Sequence, residues 1–272
     1  MSRAYALYAT DDAYALAVLT FTRLLRQRGI GEGIEVVVLH HGVRPRVVSA
    51  FEEQGLRPRR VAPLRRAAAL SRLRRGPTSY FRHSLTKLRV FELAEYERVV
   101  YCDADSVPLR SLDALFEAPG EGPVAAPVAY WLPQPWWTSA LMVIRPDPAV
   151  WLAVREYAAN ARRDVHDMDV VNLGLRGRID SLPAGAFALN SEWERDPAPT
   201  YGHGAELPER GRLRSGAFVV HMSALGKPWT HTTAECRRLR PEANPYFCGL
   251  WREWRATHAE VIRDLGRPPI EV

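Results

Sequence analysis

Three short runs of this chain are apolar at nearly every position: Ala4 to Ala9 (AYALYA), Ile34 to His40 (IEVVVLH) and Arg98 to Cys102 (RVVYC). A strand with one wet face alternates apolar with polar residues, whereas a strand covered on both faces has no need to. Between the first two runs lies Tyr14 to Leu25, apolar at helical spacing and followed by Gly29, Gly31 and Gly33, residues that end helices. The same logic predicts a short helix from Pro45 to Gln54, a third strand over Arg57 to Val61, and a helix over Ser84 to Ala94 with Leu85, Leu88 and Phe91 on one face. Gly122 to Ala129 and Ser139 to Ile144 read as further strands, Pro148 to Arg162 as a helix, and Glu194 to Gly216 as a long polar loop. Strands alternating with helices predict an α/β fold with a mostly parallel sheet and helices on both faces. Ligands of such open sheets bind beyond the carboxyl ends of the strands.

Composition removes several function classes. With 47% hydrophobic and 25% charged residues in 272, the chain is neither disordered nor fibrous. No apolar run approaches the ~20 residues that span a bilayer. Asp11 and Asp12 interrupt the only stretch resembling a signal peptide. Cys102, Cys236 and Cys248 are odd in number and form no CxxC pair, which argues against a disulfide framework and for a cytoplasmic location. The net charge is +6, and eight arginines lie between Arg57 and Arg75 with no acid among them. No helix-turn-helix, zinc-finger or RNP-like pattern accompanies that run, so no specific nucleic-acid partner is expected; its basic, turn-flanked composition suits a mobile lid. Of the 37 basic residues only Lys87 and Lys227 are lysines. Codon bias accounts for the arginines but not for these two exceptions.

The chemistry concentrates at two strand ends. Val99 to Cys102 runs straight into Asp103-Ala104-Asp105. Strand alternation puts residues i and i+2 on one side, so both carboxylates can face one hard divalent cation while Ala104 stays clear. Far along the chain Phe218-Val219-Val220 delivers His221 into a turn, followed by Gly226, Lys227, Pro228 and Trp229. Gly226 permits close backbone approach to a ligand and Lys227 supplies a compact positive charge. Asp11 or Asp12 also suits the cap of the first helix.

Four blocks, taken in order, resemble the glycogenin-like retaining glycosyltransferases known as family 8: Leu7 to Tyr14 (LYATDDAY), Leu85 to Leu115 (LTKLRVFELAEYERVVYCDADSVPLRSLDAL), Asp167 to Asn172 (DMDVVN) and His221 to Trp229 (HMSALGKPW). The resemblance implies a single GT-A domain over 1–272 with a Rossmann-like sheet. A nucleotide-binding half would span about 1–125, an acceptor-side half about 126–235 and a helical segment about 236–272. It implies that Asp103, Asp105 and His221 hold Mn2+ or Mg2+ against the diphosphate of a UDP-sugar, a donor set that favours Mn2+ over Ca2+. Lys227 and the Gly226 amide would bind the same phosphates, Lys87 and Ala104 would meet the donor, and Ala9, Thr10, Asp11 and Tyr14 would surround base and ribose. Asp167 and Asp169 would position donor and acceptor.

Two departures stand out. Met168 occupies the place of the family's Gln, and a thioether is no carboxamide nucleophile. This predicts retention without a covalent adduct at that position. Thr138-Ser139-Ala140 replaces an Asn-Ser-Gly segment, so a methyl group stands where glycine allows close approach. Trp131, Trp136 and Trp137 are read either as an aromatic acceptor wall or as an edge of the core, Asn190 as an acceptor-side polar residue, and Trp251 and Trp254 as packing anchors. The expected function is transfer of a sugar from a UDP-sugar to a small-molecule, glycan or peptide acceptor, with a homodimer left open. The rival readings are a sugar nucleotidyltransferase, which would want a glycine-rich N-terminal phosphate loop, and a catalytically weakened nucleotide-sugar-binding module.

Overall fold

A computed structural model of the chain describes residues 2–64, 84–161, 165–195 and 216–266. A seven-stranded sheet forms its centre, with strands β1 (Arg3–Ala9), β2 (Glu35–His40), β3 (Arg57–Arg60), β4 (Arg98–Cys102), β6 (Val124–Pro127), β7 (Leu141–Ile144) and β8 (Ile179–Leu182) in the order β3-β2-β1-β4-β7-β6-β8. Every pairing is parallel except the two made by β7, which runs against β4 and β6. A second sheet of three-residue strands joins β5 (Ser106–Pro108), β10 (Val219–His221) and β9 (Phe187–Leu189), with β10 in the middle.

The unbroken apolarity of β1 is explained by its neighbours. Tyr5, Leu7 and Ala9 join one core, while Ala4, Ala6 and Tyr8 join another on the opposite face. Helix α1 (Asp12–Arg28) and the C-terminal α6 (Pro245–Asp264) pack in the first core, bringing Leu16, Phe21, Phe247, Trp251 and Trp254. The second core is covered by α3 (Pro148–Asn160) and α4 (Asp167–Gly174) through Val150, Val154, Val170 and Val171. Helices α2 (Pro45–Glu53) and α5 (Thr233–Leu239) are the remaining α-helices among the described residues. Trp251 and Trp254 are fully buried, as packing anchors should be. No helix among the described residues is long and apolar enough to cross a membrane.

Two expectations change. Ser84–Glu92 is a 3-10 helix of nine residues rather than an α-helix. Three residues per turn stack positions i and i+3, so Leu85, Leu88 and Phe91 form one buried line, and Ser84 and Lys87 share another. Ser111 to Phe116, whose sequence also suggests a helix, likewise forms only a short 3-10 turn at Asp113–Glu117. Within the arginine run, Arg57 to Arg60 form the edge strand β3, while residues 65–75, and with them the expected lid, lie outside the described residues. Most of the loop expected at 194–216 lies outside them too.

Candidate active site

The carboxyl ends of β1 and β4 open onto a cavity of about 460 Å3. Strand β4 ends at Cys102, and the turn that follows presents Asp103, Ala104 and Asp105 to this cavity. Its walls include Thr10 and Tyr14 from the start of α1, Lys87 from the 3-10 helix, Asp167 from the N-terminus of α4, and His221, Gly226 and Lys227 from the segment after β10. Residues more than a hundred positions apart meet because β10 pairs antiparallel with β5, which sets His221 opposite Ser106, the neighbour of Asp105. The Met222 amide then donates to the Asp105 carbonyl at 3.0 Å, locking that register.

The two carboxylates face different partners. Lys87 Nζ lies 3.2 Å from both oxygens of Asp103 and 2.6 Å from Asp167 Oδ2. The Tyr101 hydroxyl donates to Asp103 Oδ1 at 2.6 Å, and Ser139 Oγ donates to Asp167 Oδ2 at 2.5 Å. Burial opposes the Lys87 ammonium, but Asp103 and Asp167 outweigh it and hold the proton more tightly than usual. Asp167 is the converse: burial disfavours its charge, and Lys87 and Ser139 nonetheless keep the carboxyl below its ordinary range. Burial pushes the Tyr101 phenol up, so it stays a neutral donor.

Asp105 is paired with Lys227 and lies 3.4 Å from His221 Nε2. Its burial disfavours the charged form, yet His221 and Lys227 hold it well below the usual carboxylate range. Lys227 Nζ stands 5.6 Å from the centre of the Tyr14 ring, whose edge packs on Trp229 at 4.9 Å. Burial first, against the opposing pull of Lys227, pushes the Tyr14 hydroxyl up to about 12. Leu225 and Gly226 turn the chain through two successive left-handed conformations, φ 65° and 74°. That conformation costs a non-glycine residue such as Leu225 about 1–2 kcal/mol. The turn is braced by the buried carboxamide of Asn190, whose Oδ1 accepts from the amides of Ser223 and Ala224, each at 2.8 Å.

Ligating atoms of Asp103, Asp105 and His221 all lie within 4.8 Å of one another. Two carboxylates and an imidazole at this spacing fit a divalent cation of the Mn2+ or Mg2+ kind. The buried Nδ1 of His221 has no hydrogen-bond partner, and its Nε2 faces the Asp105 carboxylate. Around this point three carboxylates (Asp103, Asp105, Asp167) face two ammonium groups (Lys87, Lys227). The surplus is negative, as a cation site requires.

Three expected residues lie outside the cavity wall. Ala9 is fully buried in β1. Asp11 caps α1, accepting from the Tyr14 amide at 2.9 Å, and so contributes through the helix end it holds. Asp169 does not join Asp167: its carboxylate accepts from the His166 amide at 2.6 Å in the capping box of α4, three positions from the cap, where that box places it. Asn172 of the same block clamps the backbone of Trp137, accepting from its amide and donating to its carbonyl at 2.9 Å each. Trp137 thereby serves the edge of the core, and its indole donates to Ser181 Oγ at 2.9 Å. Ala140 is buried, and its carbonyl accepts from the Asp103 amide at 2.9 Å. Sequence reasoning missed Tyr101 as a partner of Asp103, although a residue two before it on a strand shares its side. It also missed Tyr8, Ser139 and the bracing role of Asn190.

A doubly covered α/β sheet with a DxD turn and a cation-compatible cluster at its carboxyl end is the architecture of the GT-A fold. Solved structures agree. The galactosyltransferase LgtC, in complex with donor and acceptor sugar analogues, superposes with a TM-score of 0.62 over 98% of each chain at 17% identity, a likeness of fold. Among curated sequences, glucose N-acetyltransferase 1 of Gibberella zeae is 31% identical over 165 residues, 57% of this chain and 36% of the relative. A UDP-glucuronate:xylan alpha-glucuronosyltransferase of Arabidopsis thaliana is 25% identical over 146 residues, 53% of this chain and 22% of the relative. Glycogenin of Neurospora crassa is 23% identical over 228 residues, 83% of this chain and 31% of the relative. No family model matches. The chain thus spans well under half the length of these relatives, and over that span its fold is that of the GT-A glycosyltransferases it resembles.

Proposed function

We propose that the cleft binds a UDP-sugar together with Mn2+ or Mg2+ and transfers the sugar, with retention at the anomeric carbon, to a small-molecule, glycan or peptide acceptor. The observation that carries this reading is the convergence of Asp103, Asp105 and His221 between Lys87 and Lys227 at the end of the sheet. The name of the glucuronosyltransferase relative, which contains UDP-glucuronate, supports a nucleotide-sugar donor. Asp103, Asp105 and His221 would hold the cation, which when bound offsets charge building on the departing diphosphate. Lys227, on a turn whose Gly226 lets the backbone approach closely, adds positive charge on the same side and acts most strongly as the leaving group develops its charge. Tyr14 and Thr10 frame the nucleotide. Lys87, fixed between two carboxylates, orients Asp103 and Asp167, and the Asp167 carboxylate accepts from sugar hydroxyls. Half-buried Met168 offers no nucleophile beside it. Retention then proceeds with departure and attack on one face, and Asp169 takes no part.

Screening UDP- and other NDP-sugars for Mn2+-dependent hydrolysis tests this reading. Cation-dependent release of UDP from at least one of them is expected. Cation-dependent UDP binding with no turnover of any donor would favour the binding-module alternative. Release of UDP also separates glycosyl transfer from the acetyl transfer in the name of the fungal relatives, a reaction that frees no UDP.

A further inference from the structure

Away from the cleft, helices α5 and α6 bring two thiols together. Cys236 Sγ and Cys248 Sγ lie 3.6 Å apart, although twelve positions separate them in sequence and neither belongs to a CxxC motif. Their surroundings differ. Cys236 is fully buried, and burial together with its neighbour Cys248 pushes its thiol up to about 12, so it makes a poor first nucleophile. Cys248 is partly exposed and lines a cavity of about 340 Å3 with Arg237, Arg240 and Arg252, and no carboxylate shares that lining. Arg240 is paired with Glu194, whereas Arg237 and Arg252 are exposed residues of the cavity lining. The neighbouring Gly249 has open space where a side chain would stand, which leaves a route to the sulfur.

We propose that Cys248 and Cys236 are an attacking and resolving thiol pair, oxidised to an intramolecular disulfide by small anionic disulfides that dock in this arginine-lined cavity. The Cys248 thiolate attacks one sulfur of the reagent, whose S–S bond breaks and releases one thiolate. Cys236 then gives up its proton and attacks Cys248 Sγ, and the second reagent thiolate leaves. Two protein thiols lose two protons and two electrons, and the reagent is reduced to two thiols. The arginines hold the reagent's carboxylates. The crosslink would join elements that brace the segment after Lys227: Trp251 Nε1 donates to the His231 carbonyl at 2.9 Å, and Arg255 to the Trp229 carbonyl at 3.0 Å.

The test treats the full chain with oxidised glutathione under native conditions and follows intact mass and thiol-mapped peptides. A Cys236–Cys248 crosslink is expected, with the buried Cys102 unmodified. Cys236→Ser should trap one glutathione on Cys248, and Cys248→Ser should abolish both crosslink and adduct. Arg252→Gln, an exposed change, should slow the reaction with oxidised glutathione severalfold and leave that with uncharged hydroxyethyl disulfide unchanged. Absence of the crosslink, or modification of Cys102 as fast as Cys248, would overturn the pairing. Equal slowing of both reagents, or of neither, would overturn the anionic-ligand assignment.

Discussion

Asp103 and Asp105 are separated by one residue, yet they belong to different regions of the molecule. Asp103 looks back into the large sheet, where Lys87, Tyr101 and, through Lys87, Asp167 and Ser139 form a closed network in which the lysine side chain is only 8% exposed. Asp105 looks toward the small sheet, where its partners His221 and Lys227 arrive on a strand from the far end of the chain and the lysine side chain is 27% exposed. Similar chemistry is therefore built with different tolerance. The first region is a preset frame that fixes a carboxylate's orientation. The second is a wall with room for a ligand and a turn held by a single carboxamide, Asn190. Buried charge networks of the first kind leave little latitude for substitution, because removing one partner strands another.

The comparison can be broken at several points. Asp105→Ala removes the carboxylate shared by His221 and Lys227, and turnover of any accepted donor should fall about a thousandfold, as for loss of a principal electrostatic stabiliser; steady-state hydrolysis assays at saturating Mn2+ check this. Acid sensitivity should also separate the first region from the C-terminal helix that packs on α1. Asp167 is held below its ordinary range, so the stability it contributes is complete above about pH 3.9 and is lost only as pH falls through its lowered value. In the C-terminal region His258 stacks on Trp254 and meets Thr20 at 2.9 Å, and burial, then Arg255, lowers it to about 4. Unfolded histidine takes a proton near pH 6.5, so stability there is complete above that pH and is lost as pH falls toward 4, by about 3 kcal/mol. Thermal melts between pH 7 and pH 4 should show this loss, and His258→Gln should flatten it.

The two lysines sharpen the contrast. Lys87→Arg forces a planar guanidinium between two buried carboxylates and should cost roughly a hundredfold in turnover, as a misplaced catalytic frame does. Lys227→Arg has space, and its loss should be nearer tenfold. Equal effects would mean that the two regions do not differ in tolerance. Tyr101→Phe deletes one hydrogen bond to Asp103 and should weaken cation binding by about 1–2 kcal/mol, visible as a higher Mn2+ concentration for half-maximal turnover.

How much of this was legible depends on sequence distance. Strands β1, β2 and β4 could be read because burial on both faces leaves a near-continuous apolar run, and β1 divides its residues between two cores as that run implies. The edge strand β8 (IDSL) carries no such run and went unread. Lys87, Tyr101 and Asp103 lie in one contiguous block, and strand alternation alone could have linked the last two. The convergence of Asp105 with His221 depends on pairing between strands of three residues, too short to carry a periodic signal. The 3-10 geometry at Ser84–Glu92 was present in the spacing of three among Leu85, Leu88 and Phe91, which suits three residues per turn better than an α-helix. Asp169 reads like a site residue because it neighbours Asp167 in sequence, but one helical turn sends it to the capping box. The proximity of Cys236 and Cys248 likewise follows from how α5 and α6 pack, which no spacing rule anticipates.

The claim that the cleft is a cation-dependent nucleoside-diphosphate site is tested most directly by titrating UDP into the protein in a calorimeter, with and without Mn2+, for wild type and Asp105→Ala. The account predicts that wild type binds UDP only when Mn2+ is present and that Asp105→Ala binds it in neither condition. Equal UDP affinity with and without Mn2+, or unchanged binding by Asp105→Ala, would contradict it.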